Sequence, residues 1–532
     1  MPSFDLTREP WIPVLDLEGQ YREVSLRDAL AEAPQIREVA ADSPLETAAL
    51  YRTLQAVWLR VFGPETERPD DWFAMWDRQP RAFTPEEVAR LDAYFEQHRE
   101  EFDLLHPTRP FLGHPAPAAS GPTALAKLFH AEASGNNPTL FDHALDDAPR
   151  ALAPAVVARG LVAAQAFAVG GGKSVPFYYS DAPLLAGAIF WLRGRSLYEA
   201  FLLNTPPDKK VRIQPVGNDR PAWEREALQP PSARRAEGYT DYLTWTSRLI
   251  HFEAEERDGQ VLVTGMRMSQ GDKLDAPALR DPLMAYRDGK TGLYPFKFNP
   301  DRVLWRDAAV FLRPTAKNGA GAAAALNWVA NTAALERDTD MGEARFTLDV
   351  FGLANDKGDV LLWRHERMPF YPAVLRDPER FSRIEQALGQ AEQQRNALRD
   401  ALFHAAAKVL FPDKDPLQKN PQAPDALSEN ARKDAGRVRN GMDGERRYWA
   451  RLEAPFYAWL GRLAVAPPDL PVLERLLAEW TRTLHREAQA AYDEATEHLD
   501  TSPRHLRARV EGRARLRPAA AYAHLLSEPE PA

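Results

Sequence analysis

Three glycines followed by a lysine and a serine, residues 170–174, have the clearest chemical potential in this sequence. Glycine-rich loops with a following lysine cradle nucleotide phosphates in P-loop proteins. That pattern also requires a glycine five positions before Gly172, where this chain has Phe167. The preceding residues are alanine-rich and helical in pattern, and Pro176 follows, so neither the strand before a P-loop nor the helix after it is expected. The sequence therefore argues against nucleotide hydrolysis.

Histidines and serines give no stronger catalytic pattern. Asp142 precedes His143, the reverse of the order expected in a metal-dependent phosphohydrolase. His106 and His114 flank a proline-rich loop, where surface or capping roles account for them. No serine has the context of a nucleophile elbow. We expect no catalytic residue, no metal site and no cofactor.

The triple glycine still needs a physical reason. Residues without a Cβ adopt positive φ and let the main chain approach a ligand closely. A backbone loop in a nucleic-acid groove, with Lys173 beside it to meet a phosphate, is one interpretation. A plain flexible loop is the other, and local sequence leaves both open.

Composition limits the class of protein. The chain has 532 residues, a net charge of −9 and no cysteine. Its length predicts two or three domains, and the lack of cysteine excludes disulfides, zinc ribbons and thiol nucleophiles and suits a reducing cytoplasm. The acidic balance means that any nucleic-acid role must be local or shared with partners. We expect no signal peptide, and Arg159 and Gln165 within the apolar stretch 151–172 indicate a buried helix, not a membrane span.

Turn and capping residues divide the first two thirds of the chain into short mixed elements. A hairpin is expected around Gly19, and a helix from the N-cap Ser43 to Gly63. Residues 249–366 contain strand-like pairs split by Asp-Gly or Lys-Gly turn signals, with helical stretches between them. This order predicts an α+β domain without the βαβ rhythm of a doubly wound sheet.

After Pro372 the strand signals stop. Four amphipathic segments follow, at 376–411, 444–465, 470–499 and 502–526. They predict an all-α four-helix bundle. We place the boundary near Tyr371, which gives a mixed domain at 1–371 and a bundle at 372–532. The connection at 412–430 is long and polar, and we expect it to be mobile.

Four features together resemble one protein family. They are the opening "FDLTREPWIPVLDLEG" at 4–19, the loop "SGNNPTLFDH" at 134–143, the "GGGKS" run and the helical C-terminal third. In order and over nearly the whole chain, they are similar to the CasA family, the large subunits of the type I-E CRISPR surveillance complex Cascade. The resemblance implies the same division into a large mixed domain and a four-helix bundle.

The resemblance also implies a recognition subunit without catalytic activity. The family reads the protospacer-adjacent motif of double-stranded DNA, helps to open the duplex and admits the helicase-nuclease in antiviral defence, while guide RNA supplies most sequence specificity. Implied partners are the backbone, handle-binding and small subunits of Cascade, the CRISPR guide RNA, target DNA and the helicase-nuclease, with no membrane. We expect a cytoplasmic protein.

Matching positions give the implied DNA contacts. Gly170, Gly171 and Gly172, with Lys173 beside them, correspond to the family's loop in the minor groove at the motif. A loop without side chains can reject bulky exocyclic groups while it accepts several sequences. The family's basic finger resembles the turn "YRDGKTG", with Arg287 as the preferred residue and Lys290 as its rival.

Two further family elements match less closely or carry an alternative. The family's wedge can carry glutamine, whereas the turn "LANDKGD" has Asn355 and Lys357, so a lysine would act here by phosphate attraction. The loop at 134–143 corresponds to a segment that docks near the 5′ handle of the guide RNA and the neighbouring subunit. Asn136 and Asn137 would supply amides and Phe141 a ring. An ordinary Asn-Pro surface loop is the alternative.

Two arginine-rich stretches stand out in the predicted bundle of an acidic protein. Arg446 and Arg447 belong to the first, and Arg507 and Arg513 to the second. A solvated helix face accounts for most individual arginines. We expect part of the bundle to border the path of displaced DNA or the small subunits.

Two alternatives to a motif reader stay open. One is a scaffold that docks guide RNA and partner subunits without reading DNA. The other is a metal-dependent hydrolase.

Overall fold

The computed structural model describes residues 2–63, 68–117, 121–130, 151–207, 213–225, 230–275, 279–335, 345–356, 359–499 and 501–516. The α-helices are α1 (Leu26–Ala31), α2 (Pro44–Phe62), α3 (Pro69–Trp76), α4 (Pro85–Gln97), α5 (Pro154–Phe167), α6 (Leu197–Asn204), α7 (Tyr239–Leu243), α8 (Ala308–Phe311), α9 (Ala324–Leu335), α10 (Pro372–Arg376), α11 (Pro378–Leu410), α12 (Glu429–Gly441), α13 (Gly444–Val465), α14 (Leu470–Ala495) and α15 (Pro503–Arg515). The strands are β1 (Ile12–Asp16), β2 (Tyr21–Val24), β3 (Ile36–Val39), β4 (Pro122–Thr123), β5 (Ile189–Arg193), β6 (Ala233–Arg234), β7 (Arg248–Arg257), β8 (Gln260–Gln270), β9 (Lys273–Leu274), β10 (Tyr286–Gly289), β11 (Gly292–Pro295), β12 (Phe346–Asp356) and β13 (Asp359–Phe370).

The chain folds as two compact units. The first comprises Met1–Leu304 and Arg313–Pro372, and the second comprises Trp305–Leu312 and Ala373–Ala532. Residues 305–312, which the sequence analysis placed in the first domain, lie in the second of these units. The reason is Trp305, a fully buried side chain whose ring stacks on Phe456 of α13 with the centroids 4.8 Å apart.

Small antiparallel sheets dominate the first unit. Their strand orders are β2-β1-β3, β13-β12-β5 and β4-β8-β7, with β10-β11 as a separate hairpin and β6-β9 as a short parallel pair. The turns use the predicted residues, since Gly19 has a φ of +82° and Gly259 between β7 and β8 has a φ of +75°. The predicted α+β class is confirmed.

Helix α2 lies at the centre of the aromatic core of this unit. Ser43 caps it by accepting a hydrogen bond from the Leu45 amide at 3.2 Å, as its sequence predicts. Trp58 stacks on Phe201 of α6 at 5.0 Å, and Tyr51 stacks on Trp191 of β5 at 4.5 Å. These rings fix α2 against the elements that surround it.

Helix α5 is the predicted buried helix, and it leads directly to the glycine run. Its polar residues have partners: the Arg159 guanidinium donates to the carbonyl of Trp11 and to Glu23, each at 3.0 Å. Gln165, near its end, is also buried and bonded. Among the residues that the structure describes, no helix combines the length and apolar character needed to cross a membrane.

Helix α11 is the central element of the second unit, and it contacts α12, α13, α14 and α15. The predicted helical segments correspond to α11, α13, α14 and α15. Buried aromatic side chains bond to α11 carbonyls: Trp480 Nε1 donates to Ala387 at 3.0 Å, and the Tyr448 hydroxyl donates to Ala391 at 3.1 Å. Ring packing and these bonds together set the positions of α13 and α14 around α11.

Helix α12 was not predicted. Its contact face is made of Ala431 and Ala435, which pack with Ala407 and Leu427. Two alanines give too weak a hydrophobic pattern for recognition from sequence. The polar connection before it is held by local bonds, including one of 2.7 Å from the Asp415 amide to the Asp425 carbonyl.

Close packing of α15 gives a stability test. A Cβ at Gly512 would lie 2.9 Å from the Ala401 carbonyl and against the Tyr492 hydroxyl, whereas a Cβ at Gly389 of α11 meets no atom within 4 Å. We expect Gly512→Ala to destabilise the protein by about 1–3 kcal/mol through overpacking. The control Gly389→Ala should be neutral or stabilising by up to about 1 kcal/mol. Denaturant unfolding measures both, and equal midpoints would contradict the packing of α15.

Candidate nucleic-acid interface

The glycine loop, residues 168–182, leaves the end of α5 and returns to the unit at a short 3₁₀ segment, Pro183–Ala186. Its two stems are joined by hydrogen bonds from Ala182 N to Ala168 O at 2.9 Å, from Gly170 N to Asp181 Oδ1 at 2.7 Å, from Gly171 N to Tyr179 O at 2.9 Å and from Tyr179 N to Gly172 O at 3.3 Å. The paired backbone groups give the loop a defined shape without secondary structure.

Each glycine of the run has its own physical reason. A Cβ at Gly170 would lie 2.8 Å from the Asp181 amide nitrogen, so the stems approach too closely for a side chain. Gly171 has a φ of +113° and Gly172 a φ of +82°, conformations that side chains disfavour. No atom lies within 4 Å of a Cβ built at Gly171, so the main chain faces open space there.

A buried arginine holds the loop from beneath. Arg248, at the start of β7, is 2% exposed. Its guanidinium donates to the Val169 and Ser180 carbonyls, one on each stem, at 3.0 Å each. The guanidinium also lies over the Tyr179 ring, 4.8 Å from the centroid. Burial lowers the pKa of Arg248 to about 10, which leaves it charged at neutral pH.

Two glutamines complete this support. Gln270 is the β-ladder partner of Arg248, and its Oε1 accepts from the Ser180 amide at 2.8 Å. The Gln270 backbone amide donates to Ser174 Oγ at 2.8 Å. Gln165 of α5 joins the helix to β7, because its side chain accepts from the Arg248 amide and donates to the Arg248 carbonyl. The loop is therefore supported by residues at the end of α5, the start of β7 and the end of β8.

The tip of the loop, residues 173–178, is exposed and mixed in character. Lys173 is exposed, Val175 is 49% exposed and Tyr178 is 70% exposed. A lysine, an aromatic ring and bare main chain on one projecting surface suit a ligand with phosphates and base edges.

The predicted basic finger lies on the β10–β11 hairpin. Arg287 pairs with Tyr294 across the hairpin, and Lys290 is in its turn; both side chains are exposed. Gly187, five residues after the glycine loop, packs closely against this hairpin. A Cβ built at Gly187 would lie 2.7 Å from Pro295 Cβ. No contact decides between Arg287 and Lys290.

The remaining predicted residues are only partly described. Asn355 pairs with Val360 next to an irregularity at the end of the β12–β13 hairpin. Lys357 at the tip lies outside the described residues, as do Asn136, Asn137 and Phe141 of the guide-RNA loop. The structure therefore describes the two strands of this hairpin but not its tip, and the wedge stays a prediction.

Comparison with known proteins decides the family. The model of CRISPR-associated protein Cse1 matches residues 5–491. A curated CRISPR-associated protein CasA/Cse1 from Thermus thermophilus is 31% identical over 527 residues, which cover 96% of each chain. The chain belongs to the Cse1 (CasA) family. The resemblance seen in the sequence is confirmed.

Solved structures agree with this Cse1 assignment. Cse1 from Acidimicrobium ferrooxidans superposes with a TM-score of 0.80 at 26% identity and covers 99% of this chain and 100% of that chain. Thermus thermophilus CasA gives a TM-score of 0.75 at 28% identity and covers 97% and 98%. A chain of a CRISPR RNA-guided surveillance complex, at 22% identity, shares the fold with a TM-score of 0.71 and covers 97% of this chain and 100% of that chain.

The arginines of the helical unit are ion-paired in this Cse1 chain. Arg446 pairs with Asp443 at 2.7 Å and Arg507 with Glu511 at 2.8 Å, yet both arginine side chains stay more than 80% exposed. The other two predicted residues pair across helices, Arg447 with Glu494 at 3.5 Å and Arg513 with Asp493 at 2.8 Å. Exposed pairs of this kind are weak, so a phosphate can compete for the guanidinium.

The histidines named in the sequence analysis have local structural roles where they are described. His106 Nδ1 accepts from the Arg109 amide at 3.0 Å, and His114 Nδ1 accepts from the Ala116 amide at 3.1 Å. Asp142 and His143 lie outside the described residues. Within the described ranges, no three His, Asp or Glu side chains are grouped to hold a metal ion.

The sequence analysis missed the residues that support the loop and one that projects from it. Arg248 begins β7 and Gln270 ends β8. Their hydrogen-bond partners in the loop lie about 70 to 100 positions earlier in the chain, so no local pattern marks either residue. Tyr178 carried a usable signal, because three consecutive aromatic residues, 177–179, follow the glycine-lysine run.

The positive φ of Gly172 predicts a measurable local effect. Gly172→Ala should raise the exchange rate of the Tyr179 amide, which bonds to the Gly172 carbonyl, by about tenfold, because left-handed backbone costs alanine about 1–2 kcal/mol. Gly172→Asn should have a smaller effect, since asparagine tolerates this conformation. Hydrogen exchange with mass spectrometry gives both rates. Gly121→Ala, at an exposed glycine without positive φ, is the control, and equal rates in all variants would contradict the loop geometry.

Proposed function

We propose that this chain is the large subunit of a type I-E CRISPR Cascade complex and recognises the protospacer-adjacent motif of double-stranded DNA. The single observation that carries this proposal is the glycine loop. It presents bare main chain to open space at Gly171, on a base that the buried Arg248 holds by hydrogen bonds.

The geometry suits the minor groove. That groove is narrow, and its exocyclic pattern distinguishes mainly the guanine amino group from the edges of A·T pairs. A main chain without Cβ atoms can enter the groove and be blocked by an amino group, which gives a permissive reader of several related motifs. Lys173, which is exposed beside the glycines, would meet a phosphate of the same duplex.

Two hairpins extend the proposed DNA contact. Arg287 or Lys290 on the β10–β11 hairpin would enter the groove as a basic finger, because narrow minor grooves attract basic side chains. Asn355 and Lys357 at the β12–β13 end would support opening of the first base pair and the start of the R-loop. Opening one step costs on the order of 1.4 kcal/mol of stacking, which one or two charge-assisted contacts can offset.

The proposed partners follow from the family. A matched chain comes from a structure described as a CRISPR RNA-guided surveillance complex. We infer that this chain likewise assembles with Cascade subunits and guide RNA, using Asn136, Asn137 and Phe141, and admits the helicase-nuclease after target binding. Its own contribution is binding, and bond cleavage belongs to the nuclease.

Substitution of the exposed glycine tests the reader directly. Gly171→Asp places a carboxylate where the main chain would face the duplex, so we expect the assembled complex to lose binding to motif-containing duplex by at least about tenfold while assembly stays intact. Gly259→Asp is the matched control, because this glycine also has a positive φ and open space around it. Electrophoretic mobility shift of the complex measures both variants.

The same experiment separates the scaffold alternative. A subunit that only docks guide RNA and partners would bind duplex equally well with Gly171→Asp and with Gly259→Asp. That outcome would reject the motif reader and retain the scaffold.

The exposed arginines of the helical unit are proposed to border displaced DNA or the small subunits. The double variant Arg446→Glu with Arg447→Glu should weaken DNA binding by the complex. The slope of the logarithm of the binding constant against the logarithm of the salt concentration should fall by about one per lost phosphate contact. Arg257→Glu, at an exposed arginine of the β7–β8 turn, is the control. Binding at several salt concentrations gives the slopes, and an unchanged slope in the double variant would remove the DNA part of this proposal.

A further inference from the structure

The two stems of the glycine loop are connected through the interior of the unit. Val169 is on the outgoing stem and Ser180 on the returning stem, and Arg248 donates to both carbonyls. The same guanidinium donates to the Ser247 carbonyl at 2.9 Å and to Gln270 Oε1 at 3.2 Å. One buried cation therefore fixes the distance between the stems.

This arrangement makes the loop conformation depend on the cation. A buried guanidinium is costly unless oxygen atoms surround it, and much of this surround comes from the loop itself. If the stems separate, Arg248 loses two of its acceptors while it stays buried, so separation is penalised. The loop is thereby held in one conformation before any ligand binds.

Arginine is required for this role by its shape. The planar fork sends Nη2 to one stem and Nη1 to the other, and its central carbon lies over the Tyr179 ring. A lysine ammonium carries the same charge but offers one point and no plane. Arg248→Lys therefore keeps the charge and removes the connection between the stems.

We propose that Arg248 is a positioning residue for motif reading: it holds the glycine loop at the width that fits one groove shape. This inference rests on the proposed function of the loop. Arg248 is buried beneath the loop and does not touch DNA. Its effect is on discrimination between motifs, because a loop of fixed shape rejects a misfitting duplex that a loose loop would accommodate.

The matched control is another buried arginine of the same unit. Arg52 is also 2% exposed, and its Nη2 pairs with Asp281 at 2.6 Å, with no bond to the loop. Arg52→Lys is the same chemical change with a comparable loss of packing. Differences between the two variants therefore report on the loop and not on general stability.

The test compares assembled complexes that contain Arg248→Lys or Arg52→Lys. The ratio of Kd values for duplexes that differ only in the adjacent motif should fall by about tenfold in Arg248→Lys, the order of a single mismatched base pair. It should be unchanged in Arg52→Lys. Hydrogen exchange should be faster at the Gly171 and Tyr179 amides in Arg248→Lys alone.

A second variant, at an exposed residue of the loop, tests the proposal even if Arg248→Lys does not fold. Asp181 is on the loop surface and accepts from the Gly170 amide, so Asp181→Ala loosens the stems without disturbing the interior. We expect a smaller reduction of the ratio in the same direction. If Arg248→Lys fails to assemble, an unchanged ratio in Asp181→Ala overturns the positioning role.

The two proposals fail differently. An unchanged ratio in Arg248→Lys, together with lost binding in Gly171→Asp, overturns the role of Arg248 and retains the motif reader. Equal reduction of the ratio in Arg248→Lys and Arg52→Lys also overturns it. Normal binding by Gly171→Asp overturns both proposals.

Discussion

The buried charge of Arg248 is the interaction on which the candidate site depends. A guanidinium without water must be surrounded by oxygen atoms, and the structure supplies carbonyls from Val169, Ser180 and Ser247 and the side chain of Gln270. Two of these carbonyls belong to the glycine loop. The same bonds that stabilise the charge therefore shape the surface that we assign to DNA.

This constraint reconciles the two properties that the glycine run needs. Its tip must be bare and exposed so that main chain can enter a narrow groove, and an exposed chain of glycines is normally flexible. Hydrogen bonds from Arg248 and Gln270 in the interior, together with the bonds between the stems, order this loop. In the function that we propose, an acidic chain contacts DNA with very little charge at the point of reading, where Lys173 lies next to the glycines.

The sequence predicts the parts of this fold that have local signals. Ser43 marked the start of α2 and Gly259 the β7–β8 turn, and family resemblance located the glycine loop. The sequence did not predict α12, whose contact residues are alanines. Nor did it predict that Trp305 belongs to the second unit, since neither feature has a periodic pattern. Arg248 could not be found either, because it reads as an ordinary residue at the start of a strand. Its role comes from partners that only the tertiary fold brings together.

The groove that the loop reads can be tested by changing single atoms of the DNA. In the complex, inosine in place of guanine removes the minor-groove amino group, whereas 7-deazaguanine alters only the major-groove edge. The account predicts that a rejected motif gains affinity when its guanine is replaced by inosine and is unaffected by 7-deazaguanine. An affinity that follows the major-groove change, or follows neither, would contradict reading by main chain in the minor groove.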